Sequence, residues 1–266
     1  MNKLSIITIN YNNKEGLQRT IDSVCSQSYH DYEWIIIDGN SNDGSKELIE
    51  ENADLFSYWV SEPDKGIYDA MNKGIAVATG EYCQFLNSGD SFIDTNVLEK
   101  VFLDNDLSDV NYGDQWCVSN GIIIEKRSYP DKMSLLFLFR SPLGHQASFI
   151  KTELVKRHLY KEQYTISADR AFFLELYFSG CTFYHIPLPI VFFDVDGIGS
   201  NRKTLQERRN QFYQIKREFI PNQVVEDIEF LLGENDEMQF VRRIKPLYWL
   251  YIFMKKLQKL KCYING

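Results

Sequence analysis

A chain of 266 residues that is 44% hydrophobic and 14% aromatic can bury a substantial single core, which excludes a disordered polymer. Its net charge is −8, yet residues 242–262 hold seven Lys or Arg and no acid, leaving −15 on everything else. So acidic a body excludes a nucleic-acid binder and sets the basic end apart. The cysteines (Cys25, Cys83, Cys117, Cys181, Cys262) are scattered and odd in number, which speaks against a disulfide framework or zinc site and for a reducing cytoplasm. Met1-Asn2-Lys3-Leu4 runs straight into a strand-like segment without the features of a secretory signal, so export is not expected.

In chain order, Leu4 to Asn10 is a nearly continuous apolar run, the pattern of a strand buried on both faces of a parallel sheet. A helix is predicted from Lys14 to Gln27, with Leu17, Ile21 and Val24 at helical spacing and Asn12 or Asn13 as cap. Tyr32 to Asp38 reads as a strand, Ser45 to Glu51 as a helix, Phe56 to Ser61 as a strand and Ile67 to Ala78 as a helix. Glu81 to Leu86 is the next strand and ends in Asn87-Ser88-Gly89-Asp90. Such repeated βα units imply a doubly wound, mostly parallel α/β sheet whose ligands bind beyond the carboxyl ends of its strands, where Asn10, Asp38 and Asn87 fall. Beyond about Leu107 the pattern is mixed: strands over Asp109 to Val118 and Ile122 to Arg127 about a Ser119-Asn120-Gly121 turn, a helix over 166–180, and a proline-interrupted extended segment from Phe183 to Phe193. From Leu205 the chain reads as helices. A boundary near Arg202 divides a main domain, 1–202, from a helical extension, 203–266.

Chemistry-bearing residues gather at these strand ends. Asp38 enters the turn-rich Gly39-Asn40-Ser41-Asn42-Asp43-Gly44, where a carboxylate can accept from a base imide or ribose hydroxyl, although Asp-Gly turns are more often mere connections. In Asp64-Lys65-Gly66-Ile67-Tyr68-Asp69-Ala70-Met71-Asn72-Lys73-Gly74, Lys65 offers a cation for phosphate and Gly66 permits close approach, with Tyr68, Asp69 and Asn72 spaced to share a helix face. The alternative is a solvated charged helix; its position between two strand ends favours the site. Asn87-Ser88-Gly89-Asp90 offers a hard oxygen ligand suited to Mg²⁺ or Mn²⁺, or else is an ordinary turn and cap. His145, in Leu143-Gly144-His145-Gln146, is open to three readings: metal ligand, phosphate contact or satisfied buried imidazole. Asp169, in Ser167-Ala168-Asp169-Arg170, either caps the helix it opens or faces the crevice as a general base.

Taken together, Ser5 to Asn12, Asp38 to Gly44, Asp64 to Gly74, Asn87 to Asp90, His145-Gln146 and Asp169 resemble the ordered motifs of family 2 glycosyltransferases with the GT-A fold, over roughly residues 4–200. They are most similar to the bacterial branch that builds O-antigens, colanic acid and capsules. The resemblance implies a metal-dependent (Mn²⁺ or Mg²⁺) inverting transferase moving one sugar from a UDP-, GDP- or dTDP-sugar to a lipid-linked saccharide. It implies Thr8, Asn10 and Asp38 near the nucleoside, and Lys65, Gly66, Asp69 and Asn72 near the ribose or diphosphate, with Asn87 and Ser88 completing the donor site. Asp90 would be the metal carboxylate, with His145 a further metal candidate, and Asp169 the base. The chain departs from the family's Asp-x-Asp: one carboxylate remains after Asn87, and Gly89 stands where a metal ligand is usual.

Gln206-Glu207-Arg208-Arg209-Asn210 lacks the Trp of the Gln-x-x-Arg-Trp signature of processive synthases, so a single addition per encounter is expected. The basic end, Arg242-Arg243-Ile244-Lys245-Pro246 and the aromatic-apolar run to Met254, is too short to span a bilayer. It suits a helix lying on an anionic membrane surface, which implies a cytoplasmic enzyme peripheral on the inner face of the cytoplasmic membrane, or else a packed helix with a lysine-rich face. Two rival readings stand beside this one. A dinucleotide oxidoreductase lacks its G-x-G-x-x-G after the first strand; a catalytically silent GT-A module serving as a membrane scaffold is the alternative from another class.

Overall fold

The computed structural model describes residues 3–196 and 205–243, with residues 234–243 described as helical backbone. Two central strands nucleate the architecture. β1 (Leu4–Asn10) and β2 (Tyr32–Asp38) pair in parallel, and Leu4, Ile6, Ile7 and Trp34 to Ile37 are essentially inaccessible. A strand apolar on both faces needs cover on both. α1 (Lys14–Cys25) supplies part of it through Leu17, Ile21 and Val24, and starts where the Asn13 side chain accepts the Gly16 amide at 3.1 Å. α2 (Ser45–Glu51) contributes Leu48 and Ile49.

β3 (Tyr58–Ser61) is shorter than the expected Phe56 to Ser61, because a 3₁₀ turn at Ala53–Leu55 delays entry into the sheet. α3 (Ile67–Val77) packs on β1, with Gly74 against Ile7. β4 (Tyr82–Phe85) completes a parallel set in the order β3-β2-β1-β4. In this half two short elements went unforeseen, β5 (Ser91–Phe92) and α4 (Val97–Leu103).

The second half is mixed. β6 (Val110–Ser119) and β7 (Ile122–Arg127) form the expected hairpin. α5 (Leu135–Arg140), β8 (Ser148–Lys151) and α6 (Thr152–Arg157) precede α7 (Ala168–Phe178). β9 (Phe183–Asp194) runs unbroken through Pro187 and Pro189, and its register against β6 shifts around Asp114. Such irregularities accommodate residues that lack an N–H donor. The sheet reads β3-β2-β1-β4-β8-β6-β9-β5, with β7 on β6.

The chain divides into two compact units, Met1–Ile215 and Lys216–Gly266, and α8 (Leu205–Phe219) runs through that division. The sequence-based boundary near Arg202 falls among residues 197–204, outside the described ones. In the second unit, α9 (Asn222–Arg243) follows Pro221, and Lys216 pairs with Glu229 at 3.4 Å. The basic segment expected at 242–262 lies outside the described residues beyond Arg243.

Candidate active site

Parallel pairing places polar strand ends in one row. Asn10 stands opposite Asp38 and Asp38 opposite Ser61. Asp38 is fully buried and accepts four hydrogen bonds: from Asn10 Nδ2 at 2.7 Å, the Ser41 hydroxyl at 2.5 Å, the Ser41 amide at 2.9 Å and the Ser61 hydroxyl at 2.6 Å. Four donors saturate a carboxylate. A nucleoside reaches Asp38 only by displacing one of them, so its part is to build the crevice floor. Ser41 also takes the Asn12 amide at 2.8 Å. Asn12 and Asn40 both adopt left-handed φ values, +48° and +63°, a conformation asparagine tolerates better than most residues.

Thr8 is not on this crevice. It is fully buried, its hydroxyl donating to the Leu86 carbonyl at 2.8 Å and receiving the Trp34 indole N–H at 3.0 Å. The hydroxyl is a core link between β1, β2 and the strand leaving β4.

The loop into α3 lies beside the row, since Asp64 sits against Gly39, where a Cβ would meet its Oδ2 at 2.5 Å. Asp64 accepts the Gly66 amide at 2.9 Å, and Asp69 reaches back to the Lys65 amide at 2.9 Å. Gly66, at φ +127°, occupies backbone space that side chains rarely adopt. The Lys65 side chain is exposed. Asn72 behaves differently from the expectation that it contacts the donor. Its amide is spent on the backbone of Tyr160, donating to the carbonyl at 2.9 Å and accepting the amide at 3.0 Å.

The Asn87–Asp90 turn is tied from α1: the Thr20 hydroxyl donates to the Asp90 carbonyl at 2.8 Å and accepts the Gly89 amide at 3.1 Å. Asn13 Nδ2 donates to the Ser88 carbonyl at 3.1 Å, and the Ser88 hydroxyl donates to the Asn13 carbonyl at 3.2 Å. Asp90 is 3% exposed and accepts the Asp194 amide at 3.0 Å. Burial first, with the Asp194 charge adding to it, pushes its carboxyl well above the usual range. His145 Nε2 lies 3.3 Å from Asn87 Nδ2, its Nδ1 is buried without a partner, and burial lowers its pKa. Among the described residues, no group of three or more His, Cys, Asp or Glu is placed to hold a metal ion.

Asp169 opens α7 in its first turn, where the helix dipole favours a negative charge. It is partly exposed, and Oδ1 accepts the Tyr68 hydroxyl at 3.3 Å. Its charge reaches His145, which links it through Asn87 to the turn after β4. Asp38, Asp64, Asp69, Asn87 and Asp169 therefore lie along one edge of the sheet.

Three contributors were not singled out from sequence. Ser41 and Ser61 hold Asp38; Ser61 was findable as the polar end of a predicted strand. Gln211 of α8 accepts the Ile166 and Ser167 amides at 3.1 and 3.2 Å, fixing the entry to α7 from 45 and 44 residues away. No local pattern announces such a contact.

Comparison with known proteins agrees with this geometry. Residues 5–127 match the model of glycosyl transferase family 2. An uncharacterized glycosyltransferase of Mycobacterium tuberculosis is 35% identical over 207 residues, 75% of this chain and 78% of that protein. A PGL/p-HBAD biosynthesis glycosyltransferase of Mycobacterium bovis is 30% identical over 176 residues, covering 62% and 66%. In fold, Staphylococcus aureus TarS 1-349 in complex with UDP-GlcNAc is similar with a TM-score of 0.65 at 18% identity, over 86% of this chain and 71% of that one. The Pyrobaculum calidifontis mannosyltransferase PcManGT, in complex with GDP-Man and Mn²⁺, gives 0.60 at 15% identity over 80% and 62%. With its strand-end row, its GT-A-like mixed sheet and these relatives, the chain belongs to glycosyltransferase family 2 and is a glycosyltransferase.

Proposed function

We propose that the enzyme transfers one sugar, with inversion, from a nucleotide-sugar to an acceptor hydroxyl, and that Asp169 is the general base. The observation that carries this reading is a partly exposed carboxylate at a helix N-terminus, on the same sheet edge as the Asp38 row and the Lys65-Gly66 loop. The acceptor oxygen attacks the anomeric carbon while the bond to the diphosphate oxygen breaks in line; its proton passes to Asp169, and the nucleoside diphosphate departs. Lys65, exposed beside Gly66, meets the charge developing on the leaving group. Mn²⁺ or Mg²⁺ would neutralise the diphosphate of the leaving group, with Asp90 and His145 the residues that would hold it. Any dependence on Mn²⁺ or Mg²⁺ is read by running each assay with and without the ion.

UDP is the nucleotide favoured, supported by TarS, whose structures hold UDP and UDP-GlcNAc; GDP and dTDP follow. The acceptor proposed is a lipid-linked saccharide of bacterial surface-polymer synthesis, met at an anionic membrane surface through residues 242–262. Among the described residues no helix is long and apolar enough to cross a membrane.

The test is Asp169→Asn. UDP binding by calorimetry should stay within about twofold, while turnover falls by about 10²- to 10⁴-fold, the usual effect of losing a general base. Unchanged turnover removes Asp169 from that role.

A further inference from the structure

The motif Asp64 to Gly74, which the sequence assigns to the donor, reaches the other side of the site as well. Tyr68, in the first turn of α3, is 6% exposed. Its ring lies 5.3 Å from that of Tyr160, which packs at 4.8 Å on Phe172 of α7 and edge-on at 5.3 Å to Phe85 of β4. One turn along the same helix, Asn72 clamps the Tyr160 backbone through two hydrogen bonds. α3 thus grips the start of α7 at two levels, and at the top of this stack the Tyr68 hydroxyl meets Asp169.

Four titratable groups face the Asp169 carboxylate: Tyr68 from α3, Tyr160 from the segment before α7, His145 from the turn before β8, and Arg170 from α7 itself. Arg170 is directed elsewhere, its guanidinium 3.8 Å over the Phe212 ring. His145 is turned to Asn87, and the Tyr160 hydroxyl is buried without a partner. Among the described residues, the hydrogen bond to the carboxylate comes from Tyr68. Burial and the Asp169 charge keep that phenol protonated, so it acts as a donor.

We propose that Tyr68 is the positioning residue of the base: its buried hydroxyl fixes the Asp169 carboxylate toward the crevice. The inference rests on the reading of Asp169 as base, and a hydrogen bond to a charged acceptor is strong enough to matter. At 3.3 Å it belongs to the weaker end of that class.

The experiment compares native full-length chain, Tyr68→Phe, Tyr160→Phe and Asp169→Asn. Phe keeps the ring stack in either tyrosine variant. UDP affinity is measured by calorimetry, and kcat and KM are followed as nucleoside diphosphate release from a panel of UDP-, GDP- and dTDP-sugars. In Tyr68→Phe kcat should fall about tenfold, with donor KM and UDP affinity within about twofold, and Tyr160→Phe should move none of these. An undiminished kcat in Tyr68→Phe overturns the proposal, as does an equal fall in Tyr160→Phe or a loss of UDP affinity, which would make Tyr68 a donor contact. Full turnover in Asp169→Asn instead removes the base and leaves Tyr68 nothing to position.

Discussion

Replacing Asp38 by Asn removes one charge and one acceptor from the most heavily bonded side chain of the crevice. Its Oδ1 would still accept from Asn10 Nδ2 and the Ser41 hydroxyl. In place of Oδ2, however, an NH₂ group would face the Ser41 amide and the Ser61 hydroxyl. Ser61 can rotate to accept, but the Ser41 N–H cannot, and an orphaned buried donor costs about 1–3 kcal/mol. The two surviving bonds lose their charge assistance, about 0.5–1 kcal/mol each, partly offset by no longer burying an ionised group. Asp38→Asn should therefore lower unfolding stability by about 2–3 kcal/mol, roughly a 30- to 150-fold change in the folding equilibrium. Urea denaturation at pH 7, followed by tryptophan fluorescence with Trp34 in the adjoining core, measures it directly. A loss below about 0.5 kcal/mol at an unchanged m-value would mean that the four-bond hub is not what holds the row, and the view of Asp38 as floor rather than ligand contact would fall.

Two further perturbations probe the frame around the site. Gly80, between α3 and β4, lies so close to the neighbouring strand that a Cβ would stand 2.7 Å from the Leu4 carbonyl carbon and the Ser5 nitrogen; Gly80→Ala should cost about 1–3 kcal/mol of stability in the same urea titration, because backbone cannot move aside as a side chain would. Asp109 is held at a pKa of about 2 by the Thr182 amide, Lys151 and the Thr182 hydroxyl. Its folded value lies below the unfolded one, so the stabilisation is present above the unfolded pKa near 4 and is lost as pH falls through about 2. After a discount for partial exposure, Asp109→Asn should destabilise by about 1–2 kcal/mol at pH 7 and match the native chain as pH approaches the folded pKa; a difference that persists undiminished at the acid end would refute the linkage.

How much of this was legible in sequence depends on the range of the interactions. The parallel half announced itself because each strand is a short apolar run ending in a polar residue, and position alone narrowed the cap of α1 to Asn12 or Asn13, of which the structure selects Asn13. Gly66, expected to permit close approach, adopts φ +127°. The second half was harder: β5 is two residues long, and β9 tolerates two prolines because its register shifts against β6. Thr8 and Asn72 share one reason for departing from expectation. Each has the right chemistry at the right place in the chain, yet its polar atoms are met by partners 78 and 88 residues away. Nothing local distinguishes a threonine that binds a ligand from one that binds Leu86.

Burial separates the acids that build this molecule from those left for chemistry. Glu33 at the start of β2 takes the Ser5 hydroxyl, the Thr79 amide and hydroxyl and the Gly80 amide. Burial alone would raise its pKa, but those donors together lower it. Asp38, at the other end of the same strand, is saturated in the same way, and Asp90 is bonded to β9. All three are buried. An acceptor hydroxyl needs a carboxylate with a free lone pair and a path to solvent, and among the acids of this edge Asp169 combines partial exposure with a neutral phenol as its hydrogen-bond donor. A saturated carboxylate can take an incoming proton only by breaking bonds that hold the sheet edge together, whereas Asp169 can take it with the Tyr68 bond on Oδ1 still in place. The number of protein donors each already has therefore separates the saturated Asp38 and Glu33 from Asp169.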